Sequence, residues 1–356
     1  MLIIYNKNHN NQYVVFYFAD LNYAKYSMNI GGNMNNSVKI SAINVYHPAK
    51  IRGNEYFIKK HGDIKNINNL FESLGKRQRY VSDLESENVL TMAFKSAEPI
   101  EDDSNIDIII FASTTVEYLS PTHALFIHRK FNIKHNCICI DMNINCLSML
   151  AVLEQAAMML KLKASYCRAL IISTDQVSRY AKPHEFFPEA LFGDAAVAMI
   201  LDKVKDNSGA GLIDSQYYTD SQYADTIVFP HYGLSHSQNM QEEKFHWDNF
   251  TGELCVPFAI EAIQFQLEKH HLKLNDVSCF FFSQLSRNYI GMIKNALNLS
   301  WEQIEYIGDE YGYTGGNSPL VAYAHRLKKG LLHEGDIIVF WSFGAGYQTG
   351  VLLWKV

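Results

Sequence analysis

Apolar runs without polar breaks alternate along the chain with longer stretches whose apolar positions recur at helical spacing. The run IDIIIFAS (106–113) has the continuous hydrophobicity of a strand buried on both faces. VKISAINVYHP (38–48) reads as a strand ending at a proline turn, and ENVLTMAFKSAEP (87–99) as a helix. SPTHALFIHRKFNI (120–133) opens with Ser120 and Pro121, the residue types of an N-cap and first helical position. A strand at 137–142, a helix at 146–162 and strands at 167–174 and 195–203 follow.

The second half repeats this order. Strand 278–284, helix 288–298, strand 304–310, helix 317–332 and strands 336–343 and 349–356 are predicted. Such alternation implies parallel βαβ units with right-handed crossovers. Its duplication implies two similar halves related by a pseudo-dyad. The predicted segments are an N-terminal extension (1–33), a first half (34–203), a polar linker (204–250) and a second half (251–356). Helix 256–271 leads into the second half. The first 33 residues are rich in Asn, Tyr, Lys and Ile without a clear period. The run NIGGNM (29–34) can be encoded by a ribosome-binding site ahead of Met34. Met1 and Met34 are therefore both open as the native start.

Composition narrows the function. The 356 residues are 48% hydrophobic, enough for a large core. The net charge of -6 and the lack of a Lys/Arg cluster argue against nucleic acid or an anionic membrane as partner. The six cysteines form no CxxC pair and no metal-ligand spacing with histidine, which fits reduced thiols in the cytoplasm and no bound metal. The apolar run inside 147–162 carries Ser148, Glu154 and Gln155 and is expected to be too short and polar for a membrane span. No secretion signal is read at the start of the chain.

Cys146 stands where strand passes into helix. A helix N-terminus carries unpaired N–H groups and a partial positive charge, which favour the nucleophilic thiolate. The turn would also lie at the carboxyl edge of a parallel sheet, where α/β enzymes place their sites. The competing reading is an inert buried cysteine. Spacing alone leaves both open.

The order of motifs resembles that of the β-ketoacyl-acyl-carrier-protein (ACP) synthase III family, in the thiolase-like superfamily. The motifs are STTVEYLSPT (113–122), DMNINC (141–146), LFGDAAVAMIL (191–201), YGYTGGNSPL (311–320) and SFGAGYQTGVLL (342–353). The resemblance implies a thiolase-like αβαβα fold with mixed, mainly parallel sheets. It makes Cys146 the nucleophile that holds an acyl group as a thioester. The backbone N–H groups of Cys146 and Ala345 would form the oxyanion hole. The family's His and Asn, which polarise a malonyl thioester for decarboxylation, align with Ser283 and Tyr313. Neither replacement titrates near neutral pH as imidazole does. Ser120 stands where the family has a Phe that reaches a partner's acyl pocket, which implies either room for a longer or bulkier acyl chain or another side chain filling the gap.

The family's Trp and Arg that clasp coenzyme A fall at Asn69 and Phe186. Arg77 and Arg79 match a basic pair, read as solvated surface residues. An ACP donor is accordingly favoured over acyl-CoA. His231, His236 and His246 in the linker are candidate bases with nothing to choose among them, and Asp194 is read as a structural turn residue. The expected protein is a cytoplasmic homodimer without cofactor. It would pass an acyl group from Cys146 to a carbon, oxygen or nitrogen nucleophile in fatty acid, polyketide or specialised-metabolite synthesis. The alternatives are a decarboxylating synthase using Ser283 and Tyr313, and a non-catalytic subunit of a heterodimer.

Overall fold

A computed structural model describes residues 3–7, 13–17, 36–62, 64–100, 105–237, 239, 242–248 and 251–356. Met34 and the run around it lie outside the described residues. Residues 1–34 and 35–356 form two separate units. Within the first, the strands Ile3–Lys7 and Tyr13–Tyr17 pair antiparallel.

The larger unit has five layers. Its first sheet has the order Asn36–Tyr46, Ala195–Lys205, Arg168–Asp175, Ile108–Ala112, Ile138–Met142. The second has the order Gly211–Thr219, Gln348–Lys355, Ile337–Gly344, Val277–Phe282. Both sheets are mixed. Strands joined by a crossover helix run parallel, whereas Ala195–Lys205 in the first sheet and Gln348–Lys355 in the second run antiparallel to both of their neighbours. Between the sheets lie the helices Ser148–Leu162 and Ser318–Lys328. Their side chains and those of both inner sheet faces form one core, with Leu150, Leu153, Phe281, Leu320 and Phe340 at its centre. Helices Val89–Ala97 and His123–Lys130 cover the first sheet outside. Helices Val256–Lys269 and Arg287–Ala296 cover the second. This is the αβαβα arrangement expected of the sequence.

Four expectations change. Helix 120–133 begins only at His123, because the Asp141 carboxylate accepts the N–H groups of His123 and Ala124 at 2.6 and 3.0 Å. Ser120 and Pro121 are left in an exposed loop. The strand expected at 304–310 shrinks to one bridge between Ile304 and Phe280. There the Gln284 side-chain oxygen takes the N–H groups of Ile307 and Gly308, both at 3.0 Å, in place of a neighbouring strand. The segment 204–250 carries regular structure that the sequence did not predict, since Gly211–Thr219 is an edge strand of the second sheet. Its position on the open edge exposes one side and hides any apolar period. Finally, Asn145–Leu162 is long and apolar enough, by length and composition, to cross a membrane. Its apolar surface is used between the two sheets instead.

Candidate active site

The turn between Ile138–Met142 and Ser148–Leu162 is built from polar side chains that tie the backbone into a tight bend. Asn143 Oδ1 accepts the Asn145 N–H at 2.9 Å. Asn145 adopts a left-handed conformation (φ 50°), which asparagine tolerates better than most residues. Ser148 Oγ accepts the Ile144 N–H at 2.8 Å and bonds the Asn145 carbonyl at 2.7 Å. Ser342 Oγ donates to the Cys146 carbonyl at 2.7 Å, linking the second sheet to the turn.

Two glycines let other chain segments approach this turn. A β-carbon on Gly344 would stand 3.2 Å from the Cys146 nitrogen, and one on Gly316 would stand 3.4 Å from its α-carbon. Asn145 Nδ2 also donates to the Ala345 carbonyl at 3.2 Å. Cys146 and Ala345 thus border one cavity. Among the described turn and loop contacts, neither residue's N–H donates to a backbone carbonyl.

The cavity has a volume of about 120 Å³. Thr114, Val177, Phe192, Ile227, Phe343 and Tyr313 contribute to its walls, and no histidine is among the described lining residues. His231, His236 and His246 border a separate surface depression with Lys182 and Glu242.

Tyr313 is fixed by the FGD motif. Its N–H donates to the Leu191 carbonyl at 2.8 Å, and its carbonyl accepts the Gly193 N–H at 2.9 Å. Asp194 is fully buried and accepts from Ser82 and Ser178, the structural role read from the sequence. The Tyr313 hydroxyl meets the Cys146 sulfur and also interacts with Ser283. Ser283 does not border the cavity. Its hydroxyl is buried and reaches no partner at full hydrogen-bond geometry, an uncommon and costly state.

Electrostatics correct the expectation of an acidic nucleophile. Burial pushes the Cys146 thiol up to about 12. The Tyr313 hydroxyl acts in the opposite direction but does not prevail, and the Asp175 charge adds to the rise. Burial likewise holds the Tyr313 phenol well above its usual range. Desolvation of the sulfur therefore outweighs the helix N-terminus. The thiolate fraction of Cys146 rises with pH all the way to about 12. We expect alkylation of the Cys146 peptide by iodoacetamide to climb about tenfold per pH unit from 7 to 10. A plateau near pH 7 in mapped peptides would contradict this environment.

Asp175 is a site residue that sequence reasoning missed. Its carboxylate accepts from Thr114 N and Oγ1, both at 2.8 Å, and from Ser113 Oγ at 3.1 Å. Burial pushes its carboxyl up. The signal available was an acidic residue at the carboxyl end of an apolar strand, one position beyond the stretch read as strand. Arg79 is another correction. It is fully buried rather than solvated, bonded to Ala190 O and to Asn54 Oδ1 and placed over the Phe57 ring. Phe186 packs with Phe71 in a small aromatic cluster. Ser120 lies exposed, outside the Cys146 cavity.

Comparisons with known proteins agree with this architecture. The profile described as 3-oxoacyl-[acyl-carrier-protein (ACP)] synthase III matches residues 140–221, and its C-terminal counterpart matches 267–356. The chain is 28% identical to the β-ketoacyl-[acyl-carrier-protein] synthase III of Fusobacterium nucleatum over 287 residues, 78% of this chain and 85% of the relative. The crystal structure of 3-oxoacyl-(acyl carrier protein) synthase III from Pseudomonas aeruginosa PAO1 superposes with a TM-score of 0.77 at 19% identity. It covers 90% of this chain and 98% of that one. The priming β-ketosynthase of the R1128 polyketide pathway gives a TM-score of 0.76 at 14% identity, covering 90% and 96%. The chain is a 3-oxoacyl-ACP synthase III-like member of the thiolase-like superfamily.

Proposed function

We propose that this protein is an acyltransferase that carries an acyl group on Cys146 without decarboxylating a malonyl partner. The supporting observation is a reachable thiol with a Tyr313 hydroxyl at its sulfur, in a cavity whose described walls hold no imidazole. In the loading step the Cys146 sulfur attacks the carbonyl carbon of an acyl thioester. The N–H groups of Cys146 and Ala345 receive the developing oxyanion. The carrier C–S bond breaks, and the proton from the Cys146 thiol ends on the departing carrier thiol. Tyr313 keeps its proton and donates a hydrogen bond to the sulfur as charge forms there. A second nucleophile then takes the acyl group and restores the thiol.

Decarboxylation needs more. The carbonyl of a malonyl thioester must accept hydrogen bonds while an enolate forms, and losing one such donor costs about 100- to 1000-fold. Ser283 stands outside the cavity, and the Tyr313 hydroxyl is engaged at the sulfur. An ACP is the favoured donor, acyl-CoA the alternative. We further propose a homodimer acting in the cytoplasm. Malonyl-ACP supplied to the acyl-loaded protein tests the reading by release of carbon dioxide. We expect no release above a Cys146→Ala control; release that depends on Cys146 would refute the reading.

A further inference from the structure

Lys76 and Arg79 are interior cations without a bonded carboxylate among the described contacts. Lys76 is 3% exposed and Arg79 is fully buried. The Lys76 ammonium donates to the Gln284 carbonyl and lies 5.8 Å from the centre of the Tyr306 ring. A β-carbon on Gly308 would stand 2.7 Å from Lys76 Nζ, so the glycine leaves space for that ammonium. Arg79 bonds the Ala190 carbonyl and Asn54 Oδ1 and lies over the Phe57 and Phe71 rings. All of these partners are neutral. Carbonyls and rings replace only part of the hydration that a buried charge loses, which is why such charges are normally paired.

Both cations belong to one open hollow of about 840 Å³. Lys76, Arg77 and Arg287 border it, and Arg79 stands behind it on the side chain of Asn54, another bordering residue. The Arg287 guanidinium lies over Trp301 at 4.7 Å and Tyr306 at 5.6 Å, again with no carboxylate bonded to it among the described residues. Glu72 and Asp309 also border the hollow. Asp309 faces Arg77 at 3.6 Å. Four cations therefore meet two carboxylates, an excess of two positive charges. Burial, reinforced by the Arg79 charge, brings the Lys76 amine down to about 7, against the opposing pull of Asp309.

The hollow is distinct from the approach to Cys146. Asn68, Phe71 and Glu72, on helix Ile67–Leu74, border the hollow. Leu74 instead borders a cavity that shares Trp247 and Leu285 with the Cys146 chamber. Phe186, at one of the coenzyme A clasp positions, borders that cavity. Neither Phe186 nor Asn69 is among the described residues of the hollow.

We propose that this hollow binds a small oxoanion, a phosphate or phosphomonoester, through Lys76 and Arg287, as a ligand separate from the thioester donor. An ammonium has three N–H groups, and the described hydrogen bonds of Lys76 use one of them. Ammonium and guanidinium groups bond phosphate oxygens through charge-assisted hydrogen bonds, which are stronger than neutral ones. The anion supplies the missing counter-charge and favours the protonated amine. The inference stands independently of whether Cys146 carries acyl groups.

The test is calorimetric titration and thermal melting with sulfate, a dianion that does not itself titrate near neutral pH. Wild type is expected to bind sulfate and to melt higher in its presence. Lys76→Met and Arg287→Gln are each expected to weaken binding at least about tenfold, with folding confirmed by far-UV circular dichroism. Wild-type binding is also expected to weaken at least about tenfold from about pH 6.5 to 8.5, as the amine loses its proton, and Lys76→Met to lose that slope. Inorganic phosphate and glycerol 3-phosphate distinguish a free ion from a monoester, and binding of either with the same sensitivity to both variants supports the site. No binding of any of the three probes, binding that both folded variants leave unchanged, or a pH slope that persists in Lys76→Met would overturn the proposal. Coenzyme A and pantetheine are then titrated with and without sulfate. Unchanged affinities support a separate ligand, whereas competition with coenzyme A alone would assign the hollow to the donor's phosphates and overturn it.

Discussion

The double replacement Ser283→His with Tyr313→Asn is expected to release carbon dioxide from malonyl-ACP at least about 100-fold faster than wild type. On the proposed reading the wild-type side chains do not present two donors to a malonyl carbonyl, because the Tyr313 hydroxyl interacts with the sulfur and Ser283 is buried. The paired change matters. Ser283 is fully enclosed among Phe282, Leu285 and Tyr313 in the outer core of the second half. A histidine there alone would overpack the site, at a cost of about 1–3 kcal/mol. Trimming Tyr313 to asparagine removes a ring from the same place and supplies the second donor. The two substitutions should therefore be strongly non-additive, as contacting residues are. Each single variant is expected to stay near the wild-type rate. A folded double variant no faster than wild type would mean that these two positions do not govern decarboxylation.

Replacing Cys146 with serine is expected to abolish acyl adduct formation, by at least about 1000-fold in rate. Serine needs a neighbouring base to attack a thioester, and none of the described cavity residues is an imidazole. Tyr313 cannot serve, since burial holds its phenol protonated. Cysteine escapes this demand through the intrinsic nucleophilicity of sulfur, even with its thiol pushed up to about 12. The measurement is single-turnover loading with an acyl-ACP thioester. An oxygen ester on the serine would reveal a base that the described cavity does not contain.

The parts of the fold that were legible in the sequence are those set by burial on two faces. Ile108–Ala112 and Arg168–Asp175 are enclosed by helices on both sides, so their residues form unbroken apolar runs. Helix Ser148–Leu162 lies between two sheets and is apolar nearly all round for the same reason. Gly211–Thr219 was hidden because it lies at a sheet edge with one side toward solvent. The end of the strand expected at 304–310 was lost to a side chain, Gln284, whose amide takes over the backbone pairing. A glutamine in that role leaves no periodic trace.

The site shows the same division. Cys146 and Ala345 could be placed through motif order, and both border the cavity. The ionisation of Cys146 could not, because it depends on how much water reaches the sulfur. Sequence supplies the helix dipole but not the Phe192, Phe245 and Trp247 rings that dry the chamber. Those rings converge from distant segments, and Phe245 and Trp247 belong to a stretch whose composition looks polar. Asp175 was missed for a related reason. Its partners Ser113 and Thr114 lie 61 or more positions away and meet it only through parallel pairing of their strands.

Mass mapping after incubation with acyl-ACP thioesters tests the account most directly. A single acyl group confined to the Cys146 peptide, absent from the Cys146→Ala protein, is the predicted result. A folded protein that takes no acyl group from any donor, though iodoacetamide alkylates its Cys146 at alkaline pH, would contradict it.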